Sequence, residues 1–167
     1  MEGDVERDEV DELVQAWHRE RADLDLGPVE VFSRIGRLAR LLDRVRREAF
    51  SAHGIESWEL DVLAALRRAG RPYQLSPGAL LRQTLVTSGT MTNRVDRLAE
   101  RGLVERSPDP RDRRGVLVRL TASGGTAVDG AFESLLASEA GLLSGLPEAD
   151  RAQLATLLRH LMAPLAP

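Results

Sequence analysis

The segment of residues 76–120 constrains the fold of this chain more than any other part of its sequence. Ser76-Pro77 combines a helix N-cap with proline at the first helical position, which predicts that a short helix begins there. Thr87 is a candidate N-cap for a second helix, and Gly102 is suited to end it. The apolar residues of this second helix recur at helical spacing and are Met91, Val95 and Leu98. Two short helices joined by a tight turn predict a helix-turn-helix.

Two strands are predicted directly after the second helix. Residues 103–106 form the first strand, and residues 115–120 form the second, where Val116, Val118 and Leu120 alternate with other residues. The sequence SPDPRDRR between them is rich in turn-forming residues and predicts a long hairpin loop. A helix-turn-helix followed by such a hairpin is a winged helix.

Five further helices are predicted around this segment. Their apolar residues recur every three or four positions, and Pro28 and Ser57 are suited to open two of them. The predicted ranges are 4–23, 28–52, 57–69, 122–143 and 147–163. The expected fold is therefore mainly α-helical with a small β-wing.

The charge of the chain is unevenly distributed. The formal net charge is -3, yet residues 1–30 hold 11 Asp and Glu against 3 Arg, whereas residues 31–119 are rich in arginine. Local charge governs anion binding, so an acidic total does not exclude a DNA partner. The chain has no cysteine, which excludes disulfides and thiol sensing. The sequence contains no apolar run of membrane-spanning length and no signal-peptide pattern, so we expect a cytoplasmic protein without a membrane partner.

The predicted helix of residues 87–102 has a polar face that suits DNA. Small hydroxyls near a helix N-terminus can contact phosphate, and Asn and Arg can make bidentate contacts to base edges in the major groove. The candidate DNA-binding residues on this face are Ser88, Thr90, Thr92, Asn93 and Arg97. The alternative is an ordinary solvated face. The neighbouring basic hairpin favours DNA.

The arginines of the hairpin loop are predicted to have different roles. Arg113 is expected to enter a minor groove, where the negative potential is high. Arg111 is either a phosphate contact or a solvated side chain. Asp109 and Asp112 would be out of place in a pure phosphate clamp, so they are expected to hold arginines in position.

Two residues outside the helix-turn-helix are candidates for a ligand site. Trp17 lies at helical spacing from apolar residues in an acidic helix, where a docking role is the alternative to ligand contact. Asp61 lies on a largely apolar helix and needs an arginine partner if it is buried; the alternative is that it faces outward. The three histidines lack the spacing of metal ligands, and we find no catalytic dyad or glycine-rich phosphate loop. We therefore expect no enzyme activity, no metal and no cofactor.

The sequence TMTNRVDRLAERGLVERSPDPRDRRGVLVRLTASG, residues 90–124, strongly resembles the MarR family of bacterial transcriptional regulators. With its flanking helices, the resemblance extends over roughly residues 29–163. It implies a homodimeric repressor that binds a near-palindromic, double-stranded operator. It also implies that Asp96 pairs with Arg114 and anchors the wing to the recognition helix. The implied organisation is an extra N-terminal helix and linker (1–27), a dimerisation region (28–54 and 122–167) and a winged helix-turn-helix (55–121).

The extra N-terminal helix resembles that of a urate-responsive subgroup of this family. In that subgroup four residues are linked to the ligand response, and the matching positions here are Trp17, Asp61, Arg94 and Arg106. The subgroup tryptophan that precedes the aspartate is replaced by Leu60, and Trp58 lies two positions earlier. The implied effector is an anionic purine such as urate, and the alternative is a phenolic or other aromatic carboxylate. If Asp61 holds Arg94, the ligand would compete for that arginine. A second alternative is a ligand-binding dimer without DNA binding.

Overall fold

The computed structural model describes residues 7–84, 87–110 and 112–165, with the side chains of residues 113, 114 and 165 left outside the description. The elements in chain order are helices α1 (Glu9–Glu20), α2 (Gly27–Ser51) and α3 (Ser57–Arg68), strand β1 (Gln74–Leu75), helices α4 (Pro77–Thr84) and α5 (Ser88–Glu100), strands β2 (Val104–Asp109) and β3 (Asp112–Leu120), and helices α6 (Ala122–Leu142) and α7 (Glu148–Met162). The predicted fold class, mainly helical with a small sheet, is confirmed.

The chain divides into two compact units, residues 1–44 and residues 45–167. In the first unit, Asp8 caps α1 by accepting hydrogen bonds from the backbone of Val10 and Asp11. Arg34 of α2 donates to both Asp8 and Asp11, at 2.8–2.9 Å. This hydrogen bond from Arg34 lowers the pKa of Asp8 from 3.8 to about 2. The small buried cluster of this unit consists of Val10, Val14 and Leu26, with Val29 packed against it.

The second unit contains the main hydrophobic core. It joins the end of α2, helices α3 to α6 and the three strands, and its fully buried side chains include Leu63, Leu66, Leu80, Met91 and Leu98. Thr87 caps α5 as predicted, because its hydroxyl accepts from the backbone N–H of Thr90. Gly102 follows α5 with a φ of 68°, a left-handed conformation that favours glycine. The local signals that define the helix-turn-helix therefore act as expected.

Two contacts fix α6 to the rest of this unit. A Cβ on Gly124 would lie 2.0 Å from the carbonyl oxygen of Leu103, so only glycine allows the helix to approach the strand this closely. Arg67 of α3 donates two hydrogen bonds to Asp129 of α6, at 2.8 and 2.9 Å. These bonds from Arg67 lower the pKa of Asp129. Helix α6 is thus a rigid support behind α3.

The hairpin differs from its prediction. The sheet is antiparallel in the order β1-β3-β2, and β2 continues through Pro108 to Asp109, which pairs with Asp112. The predicted long loop over residues 107–114 is therefore wrong, and only residues 110 and 111 lie between the strands. Proline is tolerated because β2 is an edge strand, and the register shifts between Pro108 and Asp109. The wing is therefore a paired β-ribbon almost to its tip.

The last helix has no packed face in this chain. Every residue of α7 is exposed, including a stripe of large apolar side chains. These residues are Leu154, Leu157, Leu158, Leu161 and Met162. Helix α6 also exposes Phe132 and Leu136, at 49% and 50% of their surface. An amphipathic helix of this kind is typical of an interface.

Candidate DNA interface and effector cleft

Helix α5 presents one face to the core and another to solvent. Its apolar stripe, Met91, Val95 and Leu98, is buried by α3, α4 and the sheet. The five predicted DNA-contacting residues on this helix are all exposed; they are Ser88, Thr90, Thr92, Asn93 and Arg97. The hydroxyl of Thr92 donates back to the carbonyl of Ser88 at 3.2 Å and keeps its oxygen lone pairs for an external donor. The exposed face therefore offers donors and acceptors of the kind that read base edges and phosphates.

An ion pair ties the hairpin to α5. Arg106 of β2 binds Asp96 at 2.9 Å and donates to the carbonyl of Thr92 at 3.3 Å. Arg106 had been expected at an effector site, and Asp96 had been expected to pair with Arg114. The side chains of Arg113 and Arg114 and the whole of Arg111 lie outside the described residues, so their roles stay predictions. Among the described residues, Arg106 is the arginine that joins the wing to α5.

A second cluster lies at the start of α3. The guanidinium of Arg97 lies 4.7 Å from the centroid of the Trp58 ring, and that of Arg94 lies 5.6 Å from it. Trp58 Nε1 donates to Glu56 at 2.8 Å, and Arg97 donates to the other oxygen of Glu56 at 3.4 Å. An open cavity of about 490 Å³ lies beside this cluster and is lined by Trp58, Gly89, Thr90, Asn93, Arg94 and Arg97. Arg94 is half-buried, and its Nη1 has no hydrogen-bond partner among the described residues.

Asp61 lines a different cavity. It is exposed and forms no ion pair within the part of the chain that the structure describes. The cavity, of about 240 Å³, lies between α3, α4 and α6 and is lined by Leu60, Asp61, Ala64, Arg68, Gln83, Thr84, Phe132 and Leu135. We call it the Asp61 cleft. Because Arg94 borders the Trp58 cavity instead, the predicted contact between Asp61 and Arg94 is not formed here.

Trp17 belongs to the first unit. It lies near the end of α1 with 49% of its surface exposed, whereas Val10 and Val14 of the same helix are buried. Its large exposed ring is therefore available to an external group. Both proposed roles, docking and ligand contact, remain predictions.

Sequence reasoning missed the most deeply buried charge of the second unit. Glu59 is 1% exposed, forms an ion pair with Arg101 and accepts from the backbone N–H of Glu56 at 2.9 Å. Arg101 also donates to the carbonyl of Gly54 at 2.7 Å. The spacing held a signal, because Glu59 lies four and seven positions before the buried Leu63 and Leu66. The pair joins the end of α5 to the start of α3.

Within the described residues, no group of three or more His, Asp or Glu is arranged to hold a metal ion. No helix of the described ranges is long and apolar enough to cross a membrane. A helix-turn-helix with an exposed polar helix, tied to a β-hairpin, defines instead a DNA-binding protein of the winged-helix class.

Comparison with known proteins agrees with this class. Residues 53–115 match the model of the MarR family. The HTH-type transcriptional regulator PecS of Dickeya dadantii is 36% identical over 150 residues, which cover 90% of each chain. On this similarity the chain belongs to the MarR family of transcriptional regulators.

Two solved structures extend the comparison. A cysteine-to-serine variant of MarR from E. coli, in complex with operator DNA, gives a TM-score of 0.70 at 29% identity and covers 84% of this chain and 99% of its own. The structure of BpsR from Bordetella bronchiseptica, whose DNA binding is regulated by 6-hydroxynicotinic acid, gives a TM-score of 0.67 at 26% identity. The match covers 80% of this chain and 93% of BpsR.

Proposed function

We propose that this MarR-family regulator is a repressor that binds a near-palindromic operator as a homodimer and is released by a flat anionic purine such as urate. The observation that carries the DNA part is the exposed face of α5, held over a fully buried stripe and tied to the wing by Arg106 and Asp96. The similarity to a MarR variant solved with operator DNA supports the same use of this surface.

The DNA contacts are divided between α5 and the wing. The major-groove contacts are proposed for the exposed residues of α5, which are Ser88, Thr90, Thr92, Asn93 and Arg97. Arg113 is assigned to the minor groove and Arg111 to a phosphate, with Arg114 as a strut to Asp96. Because the β2–β3 ribbon continues almost to its tip, it can hold Arg113 at a fixed distance from α5.

Removal of Arg113 tests this division. Arg113→Ala should weaken operator binding and reduce the slope of log affinity against log salt by about 1, because one cation that displaces counterions from the DNA is lost. Fluorescence anisotropy with a labelled operator at several salt concentrations measures both quantities. Arg71→Ala is the matched control, since Arg71 is exposed and this substitution also removes one positive charge, but outside α5 and the wing. Unchanged affinity together with an unchanged slope would remove Arg113 from the interface.

The dimer is proposed from the uncovered end helices. The apolar stripe of α7 and the exposed Phe132 and Leu136 of α6 would be buried by a second copy. A two-fold dimer would place its two α5 helices about one DNA turn, roughly 34 Å, apart.

The effector is placed in the Asp61 cleft. This cleft is lined by the carboxylate of Asp61, by Arg68 and by the apolar Phe132 and Leu135. The charged groups could bind the polar edges of a small flat ring, and the apolar side chains could contact its face. Gln83 and Thr84, at the end of α4, also line it. Since α4 packs on α5 through the common core, a ligand that moves α4 would shift α5 and lower DNA affinity. Arg94 and Arg106 do not line this cleft, so their proposed part in the ligand response, like that of Trp17, rests on the subgroup resemblance and not on the cleft.

Competition by small molecules tests the effector. Urate, xanthine and hypoxanthine are titrated to millimolar levels into the protein–operator complex while anisotropy is recorded. We expect urate to release DNA from the wild type and to act more weakly on Asp61→Asn. Asp43→Asn is the matched control, since Asp43 is exposed and forms no ion pair among the described residues. An equal response of Asp61→Asn and wild type would remove Asp61 from the site.

The alternative effector is an aromatic carboxylate. The observation that favours it is the similarity to BpsR, whose DNA binding is regulated by 6-hydroxynicotinic acid. The same titration with 6-hydroxynicotinate and salicylate distinguishes the two classes. Release by these acids and by none of the purines would contradict the urate proposal and leave the regulator assignment intact. A protein that binds these ligands but no operator would fit the second alternative, a ligand-binding dimer.

A further inference from the structure

Trp58 and Glu56 have no role in the function described so far. Trp58 lies in the first turn of α3 and is half-buried, with its ring beneath two arginines of α5. In the urate-responsive subgroup the tryptophan stands at the position of Leu60. Here Trp58 lies two positions earlier, and its ring contacts α5.

The contacts form a closed chain between the two helices. The indole N–H of Trp58 donates to one oxygen of Glu56, and Arg97 donates to the other oxygen while its guanidinium lies over the ring. Arg97 thus has both its charge and its plane oriented by groups of α3. The guanidinium of Arg94 lies 5.6 Å from the centroid of the same ring, and Arg94 is half-buried.

The cluster leaves most of Arg97 free for another partner. Its side chain is 55% exposed, and one of its five N–H donors bonds to Glu56. An exposed arginine ordinarily loses rotamer freedom when it binds, and that loss weakens the complex. A side chain already held in one orientation loses less. The stacked arrangement also spaces Arg94 and Arg97 side by side along one turn of α5.

We propose that Trp58, supported by Glu56, is a positioning residue of the DNA interface that holds Arg97 in its operator-binding orientation. This inference rests on the proposed function, since it assumes that α5 contacts DNA. Trp58 itself need not touch the operator. Its effect is transmitted through the guanidinium group of Arg97.

A double-mutant cycle on the full-length protein tests the proposal. Operator affinity is measured by anisotropy for the wild type, Trp58→Leu, Arg97→Ala and the double variant. Loss of the cation–π contacts should weaken wild-type binding roughly three- to tenfold. The same change made in the Arg97→Ala background should have a clearly smaller effect, because the side chain through which Trp58 acts is absent. Trp58→Phe, which keeps an aromatic face, should restore most of the affinity.

The matched controls separate positioning from stability. Thermal melts show whether Trp58→Leu is folded at the assay temperature, and if it is not, Trp58→Phe and Glu56→Gln carry the test. Glu56→Gln keeps an acceptor oxygen for the indole and lowers the charge attraction that orients Arg97, so it should weaken binding less than Trp58→Leu does.

Each result has a distinct meaning. Additive losses from Trp58→Leu and Arg97→Ala, or unchanged affinity of folded Trp58 variants, would overturn the positioning role while operator binding by the wild type stands. Absence of operator binding by the wild type would instead overturn the proposed function. Coupling between the two positions with rescue by phenylalanine supports the inference.

Discussion

Helices α5 and α7 both have an apolar stripe, but the two stripes differ in solvent exposure. The stripe of α5 is buried completely by elements of its own chain, whereas that of α7 is exposed along its whole length. The first stripe serves to fix a polar face in space. The second provides a surface that the single chain leaves uncovered. The proposed function assigns the first helix to DNA and the second to a dimer contact, and these two assignments can be tested separately.

The largest expected effect comes from breaking the exposed stripe. Leu157→Asp combined with Leu158→Asp should prevent dimer formation, because two carboxylates would have to be buried without partners. Operator affinity should then fall by about 100-fold or more, since the two half-sites are no longer bound by one particle. Light scattering gives the mass, and anisotropy gives the affinity. Leu24→Asp, an apolar-to-acid change at an exposed residue between α1 and α2 and outside the proposed dimerisation region, is the control. If the double variant remained a dimer, this would contradict the proposed role of α7 in the dimer contact.

A smaller effect is expected from the charges within the helix-turn-helix. Arg101→Met should lower the free energy of unfolding by about 2–3 kcal/mol, because Glu59 would be left buried without its partner. Arg97→Met should lower it by less than about 1 kcal/mol, because its pair with Glu56 is exposed. Urea denaturation measures both. Equal losses from the two variants would mean that the Glu59 pair is not a structural tie.

The smallest effect concerns the acidic first unit. The pKa of Asp8 is lowered to about 2 by the hydrogen bond from Arg34, so its contribution to stability is complete above its ordinary value of 3.8 and is lost as the pH falls towards 2. The protection of the α1 amides against hydrogen exchange, relative to their intrinsic rates, should thus fall between pH 4 and pH 2. Asp8→Asn should flatten this dependence. No change related to Asp8 is expected between pH 5 and pH 8, and a transition there in the wild type that Asp8→Asn abolishes would contradict the assignment.

Local signals allowed much of the fold to be predicted from sequence. The caps at Ser76 and Thr87, the glycine after α5 and the apolar stripes act over a few residues, and each is found where it was expected. The hairpin differs from its prediction because the pattern assigns proline to a loop, whereas an edge strand tolerates it at Pro108.

The candidate site was less accessible to prediction because it depends on contacts between distant segments. Asp61 and Arg94 were grouped by resemblance, yet they line separate cavities, whereas Arg106 pairs with Asp96. Glu59 was overlooked because a charge is ordinarily expected at the surface, and its partner Arg101 is 42 positions away. Side-chain partners of this kind depend on tertiary packing, which residue spacing alone does not define.

The stoichiometry and footprint of the protein–operator complex test the central claim most directly. We predict two chains per duplex by light scattering, and protection of two half-sites about one helical turn, roughly 10–10.5 base pairs, apart. The affinity for this duplex should exceed that for a scrambled duplex of equal length at the same salt concentration. Saturation at one chain per duplex, or equal affinity for the scrambled sequence, would contradict the account of a dimer that reads DNA through α5.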